Sequence, residues 1–286
     1  MVIDFRVRPP LAESFVDISE LRHYRELYQR SSALREGFDF TRGWEALLEE
    51  MDAAGVRQAI LVAEDFQETL GKKVPNEAIA AGVKKYPDRF LGLASVDPHK
   101  GKKAITELEH AVKDLGLVGL TLWPCFQKIY SNDRKYYRLY EKCLELGIFV
   151  VIHTSVNFSS VSKLDLGRPI YLDEVAMDFP ELPIVASHAG WPWVLEMIAV
   201  AWRHPNVYLE ISAMRPKYIG MENSGWGPLL NYGNSILQDR VMFATSWPLL
   251  PMKRTVEEVC ALPLKESVKE KWLYRNAARF LKIKSA

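Results

Sequence analysis

Residues 3–10 read Ile3-Asp4-Phe5-Arg6-Val7-Arg8-Pro9-Pro10, apolar and polar in strict alternation until a double proline stops them. Period two is the signature of a half-buried strand, with Ile3, Phe5 and Val7 facing one way and Asp4, Arg6 and Arg8 the other. Two arginines therefore leave one face of a strand at its end. Guanidinium groups stay charged, only donate hydrogen bonds and cannot ligate a metal. The strand end reads as an anion-binding rim, unless nearby carboxylates neutralise it.

Outward from this strand, one unit repeats. Apolar runs at Val56–Ala63, Phe90–Val96, Val118–Trp123, Ile148–His153, Pro183–His188, Val207–Ile211 and Val241–Thr245 predict seven further strands. Between them lie stretches with helical spacing, such as Trp44, Leu47, Leu48 and Met51, or Ile105, Leu108, Val112 and Leu115. Helices are expected over Asn76–Tyr86, Lys102–Leu115, Lys135–Leu146, Ile170–Asp178, Pro192–Arg203, Pro228–Leu237, Val256–Ala261 and Glu266–Leu281. Eight strands, each followed by a helix, predict a parallel sheet closed into a (β/α)8 TIM barrel that occupies residues 1–286 as a single domain. An open doubly wound sheet would want a Gly-rich phosphate turn after the first strand, where Arg-Pro-Pro stands instead. Residues 11–40 are polar and irregular, with Leu21–Tyr28 as a short helix candidate, and read as a lid or insertion.

Composition narrows the function classes. The 37 Lys+Arg against 36 Asp+Glu leave a formal net charge of +1, so no global field draws in nucleic acid or an acidic membrane. Cys125, Cys143 and Cys260 are odd in number and lack metal-type spacing, which argues against a disulfide framework or a structural zinc site. No signal peptide is visible, and no apolar run approaches the roughly 20 residues of a membrane span. A cytoplasmic protein is expected.

In such a barrel the chemistry gathers at the carboxyl ends of the strands. Those ends carry Arg6 and Arg8, Glu64 and Asp65, Asp97 with His99, Trp123 with Cys125, then His153, His188, Glu210 and Ser246. Two of the six histidines, His153 and His188, close neighbouring strands in register and point to a shared site.

The chain resembles the amidohydrolase-related family of (β/α)8 barrels, in the branch holding aminocarboxymuconate semialdehyde decarboxylase and the resorcylate decarboxylases. The resemblance rests on Ile3-Asp4-Phe5-x-Val7-x-Pro9, Gly119-Leu120-Thr121-Leu122-Trp123-Pro124, His153, and His188-Ala189-Gly190-Trp191-Pro192-Trp193. It continues through Asn206–Glu210, Arg240–Pro248 and Asn276–Phe280. Metal-bearing members take ligands from an H-x-H on strand one, a histidine on strand five and an aspartate after strand eight. Here Arg6 and Arg8 occupy the H-x-H positions and Ser246 the aspartate position, so the resemblance leaves only His153 of that set. No metal and no other cofactor is expected.

Three functions fit. The first is a metal-independent enzyme on a small carboxylate-bearing substrate, hydrolysing a lactone or amide, with decarboxylation less favoured. His188 and His153 would be its catalytic residues, with Arg6, Arg8, Ser246, Trp123 and Glu210 binding substrate. The second is a catalytically degenerate subunit that pairs with a homologous metal-bearing chain. The third is a non-catalytic binder of small anions. A homo-oligomer or a hetero-oligomer with such a homologue is expected. Neither nucleic acid nor membrane is an expected partner.

Overall fold

The computed structural model describes residues 1–15, 42–157 and 159–283. Eight parallel strands follow one another around a barrel. They are β1 Val2–Val7, β2 Val56–Val62, β3 Phe90–Ala94, β4 Gly119–Leu122, β5 Phe149–His153, β6 Ile184–Ser187, β7 Val207–Glu210 and β8 Val241–Met242. Each pairs with the next in parallel, and the seam closes where β1 meets the chain leaving β8. There Phe5 N–H donates to Phe243 O at 3.0 Å, Ser246 N–H to Arg6 O at 2.9 Å and Arg8 N–H to Trp247 O at 2.9 Å. The (β/α)8 expectation holds. Among the described residues no helix is long and apolar enough to cross a membrane.

The strands are apolar on both faces because both faces are covered. Ile3, Phe5, Ile60, Val62, Leu93, Val151, Val185 and Met242 fill the lumen, while Leu47, Met51, Ala59, Leu61, Leu108 and Leu120 pack between strands and helices. Phe149 and Tyr208 stand near the starts of their strands, and Phe280 of the last helix meets them edge to face at 4.9 and 4.8 Å between ring centroids. That aromatic plug seals the amino end of the barrel.

Three local expectations change. Val7 leaves the lumen face of Ile3 and Phe5 and joins the strand–helix layer, because the β1–β2 register shifts between Asp4 and Val7. This bulge breaks the strict alternation and turns Arg6 and Arg8 toward the barrel mouth. After β2 comes an unforeseen antiparallel hairpin, Glu64–Phe66 with Lys72–Val74, bridged by the short helix Gln67–Leu70. The expected helix Glu266–Leu281 is Glu266–Glu270, a π segment Lys271–Arg275, and Asn276–Phe280. There Phe243 N–H takes the Trp272 carbonyl at 2.8 Å, drawing it toward the barrel wall. Residues 12–15 of the expected insertion form a 3-10 turn, and the helix candidate Leu21–Tyr28 lies outside the described residues.

Asp4 clamps the seam. Its carboxylate is fully buried and accepts from Thr245 N–H at 3.0 Å, Thr245 Oγ1–H at 2.5 Å and Arg6 N–H at 3.1 Å. Burial raises its pKa from 3.8 to about 7, against the opposing pull of those three donors. A carboxyl whose folded pKa lies above its unfolded value binds its proton more tightly when folded. Its stabilising contribution is full below 3.8 and is lost as pH rises through about 7. Asn keeps both acceptor bonds and donates to the Thr245 hydroxyl, but does not titrate. We predict that between about pH 5 and about pH 8 the wild-type melting temperature falls relative to that of Asp4→Asn. Asp4→Ala should lose about 1–3 kcal/mol at either pH by calorimetry. Parallel wild-type and Asp4→Asn profiles would exclude this titration.

Candidate active site at the barrel mouth

A pocket opens at the carboxyl ends of the strands, lined by Arg6, Arg8, Trp123, Phe126, His153, Asn157, His188, Trp191, Met214 and Ser246 among others. Pairing of β5 with β6 sets His153 opposite Ser187, so His188 follows one residue beyond. The two imidazoles meet edge to face with centroids 4.8 Å apart. His188, Ala189, Ala213 and Ser246 all have positive φ, at 66°, 46°, 65° and 55°. Non-glycine residues pay for that conformation, and such strain gathers where a site dictates the backbone. Gly190, at φ 79°, makes the turn after His188 possible, since a Cβ there would lie 2.5 Å from Met197 Cβ.

Arg6 is buried. Its guanidinium lies 4.4 Å from the centroid of the Trp123 ring, and Nη1 donates to Ser187 Oγ at 3.3 Å. Trp123 in turn lies nearly parallel to His153, centroids 6.5 Å apart. Arg8 is held from the side: its Nε is 3.2 Å from Glu64 Oε1, while Lys72 Nζ sits 2.6 Å from Glu64 Oε2. Burial alone would raise the Glu64 pKa, but Lys72, Arg8 and Arg6 together outweigh it and hold the carboxyl below its ordinary value. The hairpin thus brings one acid and a third cation. The acid is shared between Arg8 and Lys72.

His188 is locked by hydrogen bonds. Its Nδ1 lies 3.1 Å from Ser212 O and 2.8 Å from Ser212 Oγ. A carbonyl only accepts, so Nδ1 carries the hydrogen and Nε2 keeps its lone pair. Ser212 Oγ–H donates to Glu210 Oε1 at 2.9 Å, and Ser212 N–H to Glu210 Oε2 at 2.6 Å. Burial, reinforced by Arg6, holds the His188 pKa well below the ordinary imidazole value. Burial, then His188 and Arg6, does the same to His153. Both shifts disfavour the charged imidazole. Glu210 is shifted upward by burial, with Arg6 and the Ser212 bonds opposing.

The structure brings Arg6, Arg8, Trp123, His153, His188 and Ser246 to one pocket. Glu210 is fully buried one step behind His188 instead of lining the pocket. The remaining strand-end residues serve the scaffold. Asp65 pairs with Lys100 at 2.6 Å, and Asp97 accepts from His99 N–H at 3.0 Å and Glu68 N–H at 2.9 Å. His99 bonds Gln127 O, His204 bonds Asp173, and Trp226 is core. Reading the sequence missed Ser212, although Glu210-Ile211-Ser212 at the end of β7 puts both polar residues on one side. Asn157 and Met214 carry no sequence signal and reach the pocket from loops. Among the described residues, no group of three or more His, Cys, Asp or Glu side chains gathers as a metal site.

The Amidohydro_2 family model, described as amidohydrolase, matches residues 27–283. The chain belongs to the amidohydrolase family. An uncharacterized TIM-barrel protein from Bordetella bronchiseptica is 32% identical, with a TM-score of 0.82 and coverage of 98% of each chain. The gamma-resorcylate decarboxylase of Polaromonas sp. is 24% identical over 282 residues, covering 84% of each chain. The structure of a dihydroxybenzoic acid decarboxylase from Polaromonas sp. JS666, with bound manganese and 2-nitroresorcinol, is 18% identical. Its TM-score is 0.68, over 100% of this chain and 98% of the other. The family expectation is met, and two of these three relatives are decarboxylases.

Cys125 lines no part of this pocket. It is buried, and burial pushes its thiol up to about 12; Cys143 is buried too, while Cys260 is exposed. We predict that an aromatic disulfide reagent titrates one thiol in the native chain and all three in denaturant. Fast native reaction of Cys125, followed by mass spectrometry, would contradict the burial.

Proposed function

We propose that this barrel is an enzyme acting without a metal on a small planar carboxylate. Arg6 and Arg8 would grip the carboxylate and His188 would move the proton. The observation that carries this is the meeting, in one pocket, of two guanidinium groups with a neutral imidazole whose Nε2 lone pair is fixed by its Nδ1 bonds. Arginine matches carboxylate geometry, and aromatic walls from Trp123, Phe126 and Trp191 suit a flat ligand.

The divalent metal implied by the family does not suit this donor set. A catalytic metal commonly takes three protein ligands, and here two imidazoles share the pocket with two guanidinium groups. The nearby acids are engaged, Glu64 with Lys72 and Arg8, Glu210 with Ser212. Paired cations repel a dication and attract an anion.

Hydrolysis of a carboxylated lactone or amide fits these parts. His188 Nε2 accepts a proton from water, the water oxygen adds to the acyl carbon, and the departing oxygen or nitrogen recovers the proton as its bond to that carbon breaks. The arginines orient the substrate and offset its negative charge. The decarboxylase relatives favour a second reading, loss of carbon dioxide, in which a solvent proton taken up at His188 Nε2 passes to the ring carbon as its bond to the carboxylate carbon breaks. Carbon dioxide release separates the two. A degenerate subunit would have no need of a buried guanidinium, two buried imidazoles and a buried carboxylate, each costly to desolvate. Oligomerisation, with itself or with a metal-bearing homologue, stays part of the proposal as a means of covering the outer helices.

The test is thermal shift against benzoates, aliphatic dicarboxylates and carboxylated lactones, followed by turnover of those that stabilise. Arg6→Gln should weaken binding at least tenfold. His188→Asn should keep the shift and lower turnover roughly 10²- to 10⁴-fold. Because the His188 pKa is lowered, its base form persists on acidification, and activity should fail only below the ordinary imidazole range. No stabilising carboxylate, or an unchanged shift in Arg6→Gln, would overturn the proposal.

A further inference from the structure

A base at His188 faces a difficulty of its own making. Once Nε2 takes a proton, the imidazole becomes a cation in a buried pocket that already holds Arg6 and Arg8. The groups behind the ring offer a way out. Nδ1 lies 2.8 Å from Ser212 Oγ, and that hydroxyl lies 2.9 Å from Glu210 Oε1. Nδ1 and Glu210 Oε1 are 4.0 Å apart, too far for a direct hydrogen bond, so the hydroxyl is their bridge. Glu210 and Ser212 are both fully buried. Ser187 Oγ, which accepts from Arg6 at 3.3 Å, also bonds the Glu210 carboxyl and ties the acid to the anion-binding guanidinium.

We infer that His188, Ser212 and Glu210 form a proton relay in which Ser212 Oγ is the conduit and Glu210 the terminal acceptor. This rests on the reading of His188 as the base. The step balances. The water O–H bond breaks as Nε2–H forms, and the Nδ1–H bond breaks as its hydrogen passes to Ser212 Oγ. The original Ser212 O–H hydrogen passes to Glu210 Oε1. The ring ends neutral with its hydrogen on Nε2, Ser212 ends as a hydroxyl and Glu210 as a carboxylic acid. Return of the proton to the leaving group reverses each transfer. One buried charge is removed from the acid and no further cation appears beside the arginines. Ser212 and Glu210 touch no substrate and act through His188.

A merely structural role is the rival account, since Ser212 N–H also caps Glu210 at 2.6 Å and would brace the loop alone. Proton NMR of the full chain labelled with ¹⁵N-histidine separates them, with His188→Asn assigning the Nδ1–H resonance. In the wild type this resonance should lie far downfield. Glu210→Gln and Ser212→Ala should each move it upfield and speed its exchange with solvent at least tenfold. The double variant should go no further than either single one, because both break one chain. Ser212→Thr, which restores the hydroxyl, should return the wild-type signal. It also serves if Ser212→Ala fails to fold.

An unmoved resonance in Ser212→Ala, independent additive shifts in the double variant, or no rescue by Ser212→Thr would each overturn the relay. The reading of His188 as base fails separately, through undiminished turnover in His188→Asn.

Discussion

Everything at the mouth of this barrel depends on how β1 is fastened to the chain leaving β8. Asp4 reaches across the seam to Thr245, while the backbones of Arg6 and Arg8 bond Ser246 and Trp247. A sheet of eight strands could close with any residue pair at its last junction. Here the junction consists of the residues that carry and face the arginines. The outer layer repeats the tie, since Glu50 accepts from Trp247 Nε1 at 2.6 Å and from Met252 N–H at 2.7 Å. A shift of one residue at this seam would turn Arg6 out of the pocket. The closure that stabilises the fold is therefore also what positions its cations.

From that placement the electrostatics follow. A barrel mouth walled by Trp123, Phe126 and Trp191 screens poorly, so each charge in it acts strongly on its neighbours. Two guanidinium groups depress the proton affinity of His153 and His188 beyond what burial alone does. Glu64 survives as an anion because Lys72 and Arg8 both face it. Positive side chains gather in such a pocket, and the same charges disfavour protonation of its imidazoles. The dihydroxybenzoic acid decarboxylase structure with bound manganese has the same scaffold. Where that enzyme concentrates positive charge on an ion, we propose that this chain carries it on side chains.

Much of this was legible in the sequence. The eight apolar runs announce a parallel barrel because strands covered on both faces have no polar side to show. His153 and His188 could be brought to one end of the barrel from their places at the ends of neighbouring strands, though the register itself pairs His153 with Ser187. Other parts had no signal. The bulge that moves Val7 out of the lumen arises from the register of partner strands, which a single alternating run does not encode. The hairpin at Glu64–Val74 is short and rich in charge, so it carries none of the apolar pattern that marks the barrel strands. Glu210 looked like a residue for substrate because it ends a strand, yet Ser212 stands between it and His188. That partnership joins β7 to the turn after β6 and exists only in three dimensions.

The claim at the centre of this account is that charge fixed on Arg6 and Arg8 replaces a metal. Its most direct test is the metal content of the purified chain, by plasma mass spectrometry after dialysis against a weak chelator. Less than about a tenth of an equivalent of zinc, iron or manganese is predicted, from a chain that still binds small carboxylates. Near-stoichiometric metal that leaves with the loss of His153 or His188 would contradict it.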